Sequence, residues 1–225
     1  MSNSDPKPRR SQAERRRTTR RQIIGAAMRC LATHGYAGTT VSRLLEEAGV
    51  SRGAYLHHFP SKTDLLRAVA EHMMRQAYAT LGQANRAAID DEDRVSAMLR
   101  ASWEAVFLNP THDVFLQLSA GSQSDDTLAD VFRPLTAAYV NTLRDAARHY
   151  FEGRRDADPG DLILLTQWLF RGMAMDKALA PNGEIFDRFI GLWATILRDW
   201  MGARDGADGP PPAASSSRAR DDYEL

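Results

Sequence analysis

Apolar residues recur at helical spacing from about residue 19 to residue 201, and no alternating β-branched run bounded by turn residues interrupts them. The expected fold class is therefore all-α. Ile23, Ile24, Ala27, Met28 and Leu31 form one face of a first helix that should end near His34, where Gly35 supplies a permissive backbone. Val41, Leu44, Leu45 and Ala48 mark a short second helix. Gly49 follows as a tight turn, and Ser51 stands as an N-cap for a third short helix running to Phe59. Pro60 stops that helix. Ser61 and Asp64 have capping-box spacing at the start of a fourth, which Leu65, Leu66, Val69 and Met73 carry onward.

Farther along, the pattern predicts five longer helices, over Asp93 to Leu108, Asp113 to Ser122, Thr127 to Phe151, Asp161 to Leu179 and Glu184 to Met201. The breakers fall between them: Asn109 with Pro110, Gly121 with Asp125 and Asp126, Gly153 through Gly160, and Pro181 through Gly183. No internal repeat is present. The expected organisation is a flexible basic arm over 1–18, a three-helix domain over 19–66, a larger helical domain over 67–201 and a disordered tail over 202–225, rich in Gly, Pro, Ser and Asp.

Charge changes the picture by dividing the chain. The totals cancel, but residues 1–67 hold 13 Lys and Arg against 5 Asp and Glu, whereas the remainder holds 16 against 24. A basic first third joined to an acidic remainder suggests that one end meets a polyanion. The charged N-terminal stretch lacks the apolar run of a secretory signal, and no uncharged run is long enough to span a bilayer, so a cytoplasmic protein without membrane association is expected. The single cysteine, Cys30, offers neither a disulfide nor a zinc cluster and reads as a small buried apolar residue.

The second and third helices, joined by Gly49, have the form of a helix-turn-helix, in which the second member enters the major groove of DNA. Leu44, Leu45 and Ala48 would hold the pair together, leaving Arg52, Tyr55, His57 and His58 on the outer face. The longer string GYAGTTVSRLLEEAGVSRGAYLHHFPSKTDLL, from Gly35 to Leu66, closely resembles the N-terminal domain of the TetR (TetR/AcrR) family of bacterial transcription regulators. The rest of the chain matches that family in length and helical character only.

The resemblance implies a homodimer that binds a palindromic operator in double-stranded DNA, usually as a repressor, and lets go when a small molecule enters the C-terminal domain. It places DNA contacts at the start of the second helix, here Thr40, Ser42 and Arg43. Others fall on the third helix and its exit, here Arg52, Gly53, Tyr55, His57 and His58, and on Lys62 at the start of the fourth. Arg52 and Ser42 are the candidates for base reading, His58 and Lys62 for phosphate. The family commonly has L-Y-x-H-F at the exit. Here Tyr55 comes one position early and Leu56 takes the usual Tyr place, so Tyr55 either reaches DNA by another path or packs against the first helix. Arg15, Arg16, Arg17, Arg20 and Arg21 either lie along DNA or form a solvated charge run.

Other signals are weaker. His57 and His58, with His72 farther on, do not converge, and no Cys, Asp or Glu has ligand spacing with them, so no metal is expected. No phosphate loop, nucleophile elbow or H-E-x-x-H is present, so neither catalysis nor a cofactor is expected. Helix bundles place ligand cavities between helices. The TetR resemblance puts Trp103, Phe107, Phe115, Leu118, Trp168 and Met173 near such a cavity for an unknown apolar or aromatic effector, with Gln117, Tyr139, Asn141 and Gln167 as possible polar groups; ordinary core packing is the alternative for each. The last two helices, about 161–179 and 184–201, are apolar on more than one face and by resemblance would pair with their symmetry mates in the dimer. A regulator without a small-molecule switch, and a helical ligand-binding protein or enzyme with an incidental basic domain, are the rival readings.

Overall fold

The structure, a computed structural model, describes residues 11–88, 91, 93–177, 179, 183–204, 206 and 207. Nine α-helices dominate the described residues: α1 (Gln12–Gly38), α2 (Val41–Ala48), α3 (Arg52–His58), α4 (Lys62–Ala87), α5 (Arg94–Ser102), α6 (Pro110–Gly121), α7 (Asp126–Tyr150), α8 (Pro159–Met175) and α9 (Glu184–Trp200). The all-α expectation holds, with two local additions. A π-helical turn, Trp103–Phe107, extends α5, and two short strands, β1 (Phe151–Gly153) and β2 (Met201–Ala203), form an antiparallel ribbon in which Glu152 faces Gly202.

Capping chemistry fixes most helix starts. Ser11 with Glu14 and Ser61 with Asp64 form complete capping boxes, and Thr40, Ser51, Asp93, Asn109, Asp125 and Asp158 each accept a first-turn amide. Pro110 and Pro159 sit in first turns, where no amide is missed.

Three expectations need correction. The helix begins at Gln12, so residues 12–18 of the expected arm are helical, because Ser11 and Glu14 close a capping box there; residues 1–10 lie outside the described residues. Gly202 and Ala203, expected in the tail, pair with β1, and the segment beyond residue 207 is outside the described residues. Helix α8 stops at Met175, with Asp176 as its cap, leaving Leu179 beyond it.

Two buried clusters hold the chain together. The first joins α1 to α4, but Val114, Phe115 and Leu118 of α6 and Leu128 and Phe132 of α7 pack into it as well. The second gathers α5, the π turn, α8 and α9 around Trp103, Phe107, Phe170 and Leu197. The boundary expected at 66/67 lies inside α4, which runs unbroken from one cluster to the other.

Candidate nucleic-acid interface and helical-domain cavity

Helices α2 and α3 meet at Gly49, whose φ of 60° and ψ of 34° place it in the left-handed region that glycine enters without penalty. Its N–H and that of Val50 return to the last carbonyls of α2. From α1, the Gln22 Nε2 donates to the Ala48 carbonyl at 2.7 Å, and Arg29 pairs with Glu47 at 2.6 Å. Buried Leu44, Ala48, Tyr55 and Phe59 anchor the pair against α1 and α4. The orientation of α3 is thus set by apolar packing and one side-chain cap.

The opposite surface is solvent-facing and donor-rich. Thr40, Ser42, Arg43, Arg52, Gly53 and His57 are exposed. Arg52, in the first turn of α3, has no hydrogen bond or ion pair among the described residues, whereas Arg43 Nη1 donates to the Gly38 carbonyl at 2.7 Å. A Cβ on Gly53 would meet nothing closer than Ser51 Oγ at 4.0 Å, so a backbone can approach there. His58 is half-buried, its ring edge-on to His57 at 5.3 Å. Burial, then His57, Arg16 and Arg20, hold its pKa below the ordinary histidine value. Arg20 lies over the Phe59 ring at 5.3 Å, which brings the α1 cations to the exit of α3.

Two of the predicted contacts are placed elsewhere. Tyr55 is only 2 % exposed and tilts against Phe59, so it belongs to the core; Leu56, at 46 %, occupies the outward position. Residue 55 shares the inner face of α3 with Phe59, four residues on, and both belong to the first buried cluster. Lys62 is half-buried with Nζ 4.7 Å above the Tyr36 ring. Its ammonium faces inward, and Asp64 already satisfies the start of α4, which lessens that terminus as an anion site.

The Lys62 contact belongs to a junction between the helix-turn-helix and α6. Gly35 interrupts α1 with φ 67° and ψ −179°, a conformation open essentially to glycine. A Cβ there would lie 2.9 Å from Gln117 Oε1 of α6, and one on Gly121 would lie 2.7 Å from the Tyr36 ring. The Tyr36 hydroxyl donates to Asp125 Oδ2 at 2.5 Å. Burial and then that carboxylate push the phenol up to about 12, and the same hydrogen bond holds Asp125 below its ordinary value.

A cavity of about 240 Å³ opens between α4, the π turn, α6, α7 and α8. Phe107 and Phe115, both predicted, line it, as do Tyr139 and Gln167. Trp103, Leu118, Trp168 and Met173 do not. Trp103 and Met173 are packed into the second cluster and Leu118 into the first, while Trp168 is 61 % exposed on the outside of α8. Asn141 is exposed, and Gln117 serves the junction. The lining adds Met73, Met74, His112 and Arg171.

Within this arrangement residues 23–69, which contain the helix-turn-helix, match the family model for bacterial regulatory proteins of the tetR family. The HTH-type transcriptional regulator CymR of Pseudomonas putida is 35 % identical over 194 residues, spanning 85 % of this chain and 95 % of that protein. The chain belongs to the TetR family. The HTH-type transcriptional repressor AcnR of Corynebacterium glutamicum is 41 % identical over 85 residues, 36 % of this chain and 45 % of its own. A solved TetR-family regulator from Rhodococcus sp. superimposes with a TM-score of 0.63 at 22 % identity, covering 80 % of this chain and 98 % of that one, which speaks for the fold.

As a TetR-family member the chain is a helix-turn-helix transcriptional regulator, and its relatives are named as regulators and repressors, not as enzymes. No helix among the described residues is long and apolar enough to cross a membrane. Among those residues no group of three or more His, Cys, Asp or Glu stands ready to hold a metal ion. Sequence reasoning missed the TetR chain's junction residues Tyr36, Gly121 and Asp125 and the cavity residues His112 and Arg171. Gly35 and Gly121 read only as helix breakers. Their second role, close approach to Gln117 and Tyr36, depends on contacts about 85 residues apart in sequence.

Proposed function

We propose that this chain is a homodimeric repressor that holds a palindromic operator through α3 and releases it when a small, largely apolar molecule enters the cavity. The observation that carries this reading is the continuity of α6. Its first turns give Thr111, His112 and Phe115 to the cavity wall, and its last turns meet Tyr36 and Gly35 of the DNA-binding head. A ligand that favours a different position of α6 shifts the population towards dimers whose heads no longer match successive major grooves. Arg52, Ser42, Thr40, Arg43, Gly53 and His57 are the proposed DNA contacts, with His58 and the α1 arginines on phosphates. Tyr55 and Lys62 act from behind, as support.

The dimer reading is supported by an apolar face on the last two helices. Leu165, Trp168, Leu169 and Met175 of α8 and Ile185, Phe189, Leu192 and Ile196 of α9 are exposed at helical spacing. A second copy of the same face, two-fold related, would cover both and make a four-helix interface. Gly172, with no heavy atom near its Cβ position, allows close approach along it.

Selection of duplexes from a random pool with the full chain at physiological salt tests the reading. The expected product is an inverted repeat with half-sites about one or more helical turns apart. Failure to enrich any duplex would sink it.

A further inference from the structure

The cavity carries a cation and no counterion. None of its lining residues is Asp or Glu, and one of them is Arg171. Among the described residues Arg171 has no ion pair and no hydrogen bond; its Nε is fully buried and unpartnered, and its guanidinium stacks on the Phe115 ring at 4.2 Å. The nearest carboxylate on α6, Asp113, is taken by Lys177 at 2.6 Å. Arg171 is half-buried, and a guanidinium stays charged under all conditions a protein meets, so one whose Nε is buried without a partner gains when an anion reaches it.

The remaining polar groups around it are able to donate. Tyr139 is half-buried, and burial raises its phenol's pKa, so it stays protonated. His112 has both ring nitrogens buried without a partner, and burial, then Arg171 and Lys177, push its pKa down to about 4, so the ring is neutral at pH 7 with one N–H to give. The other walls, including Phe107, Phe115, Met73 and Met74, are flat or pliable and apolar. At about 30 Å³ for a water-sized unit, the space holds on the order of ten non-hydrogen atoms. That is one ring and one small charged group.

We infer that the cavity is a site for a small aromatic monocarboxylate, with the carboxylate on the Arg171 guanidinium and the ring between Phe107, Phe115 and the methionines. The planar fork of Arg matches a carboxylate in two parallel hydrogen bonds, and the single cation matches a single negative charge. A phosphate monoester would bring more charge than the walls can meet. This inference rests on the proposed reading of the cavity as an effector site, and the two can fail separately.

The test compares benzoate, phenylacetate and cinnamate with benzamide, phenylacetamide and cinnamamide on the full-length protein, by calorimetry and by thermal shift. At least one carboxylate should bind at least about thirty-fold more tightly than its amide and raise the melting temperature. Arg171→Met should abolish that preference and, by removing an unpaired half-buried cation, melt at a higher temperature than the parent without ligand. Arg171→Lys should retain a reduced preference, because charge remains while the fork is lost. The inference is overturned if amides bind as well as acids, if Arg171→Met keeps the preference, or if no acid binds at about 1 mM. A carboxylate that binds without releasing the selected operator would leave the ligand class standing and remove the release mechanism. Release by amides alone would do the reverse.

Discussion

At the scale of single residues, neighbouring positions on α3 have opposite fates. Tyr55 turns into the core and Leu56 turns out, although the sequence pattern offered Tyr55 for the outer face. A seven-residue helix has too few apolar positions to define its inner face, so only packing into the first buried cluster decides. Arg52, in the first turn of α3, is exposed and has no hydrogen bond or ion pair among the described residues. Arg52→Ala is expected to weaken operator binding by about 1–3 kcal/mol with unchanged thermal stability, whereas Tyr55→Ala is expected to cost about 3–5 kcal/mol of folding stability. Fluorescence anisotropy alongside urea unfolding separates the two; equal effects on both readouts from either variant would contradict the assignment.

His112 makes a second prediction at this scale. Its pKa in the folded chain is about 4, below the ordinary value of 6.5, so between those pH values the unfolded chain binds the extra proton. Stability contributed by the neutral ring is therefore present above pH 6.5 and lost as pH falls towards 4. The loss is up to about 3 kcal/mol over that interval. His112→Phe, which suits the aromatic neighbours Phe107 and Phe115, should flatten the slope of unfolding free energy against pH over this interval. A slope as steep as the parent's would rule this out.

At the scale of elements, helix existence was legible because periodicity and caps agree: Ser51 and Ser61 with Asp64 do in the structure what their chemistry suggests, while Pro110, read as a breaker, opens α6 three residues before the expected start. The π turn at Trp103–Phe107 and the ribbon of β1 and β2 were not legible. The former is a one-residue change of hydrogen-bond register within a helix, and the latter joins three-residue strands about fifty residues apart. Gly35 lies between these cases, since its place at a helix exit was readable and its contact with Gln117 was not. Gly35→Ala is expected to cost about 1–3 kcal/mol of stability from backbone strain. Gln117→Ala in the same chain should relieve the 2.9 Å approach and leave most of that loss in place. Full recovery in the double variant, by chemical denaturation, would assign the effect to crowding instead.

For the whole molecule, the division of charge anticipated a basic head on an acidic body, and the structure gathers the Arg16 and Arg20 side of α1 near the exit of α3. The proposed association of two chains had one sign in the sequence, an excess of apolar residues on the last helices. Which of them face out required the fold: Trp168, expected at the cavity, stands on the outer surface. If the proposed dimer forms through this face, Leu192→Glu is expected to convert it to monomer in sedimentation and to lower operator affinity by at least about tenfold, since each head alone then holds one half-site. A dimer that persists through this substitution would place the interface elsewhere.

The α6 helix touches the cavity near its start and the DNA-binding head near its end, through different side chains. On the proposed reading, a receptor built in this way can drift in the compound it answers to while its output stays constant. Substitutions at Phe107, Phe115 or Arg171 would then alter the question put to the molecule, and the Gly35, Tyr36 and Gly121 interlock would preserve the form of its reply. Such separation makes the cavity a natural place to diversify in a laboratory library, with the interlock left untouched.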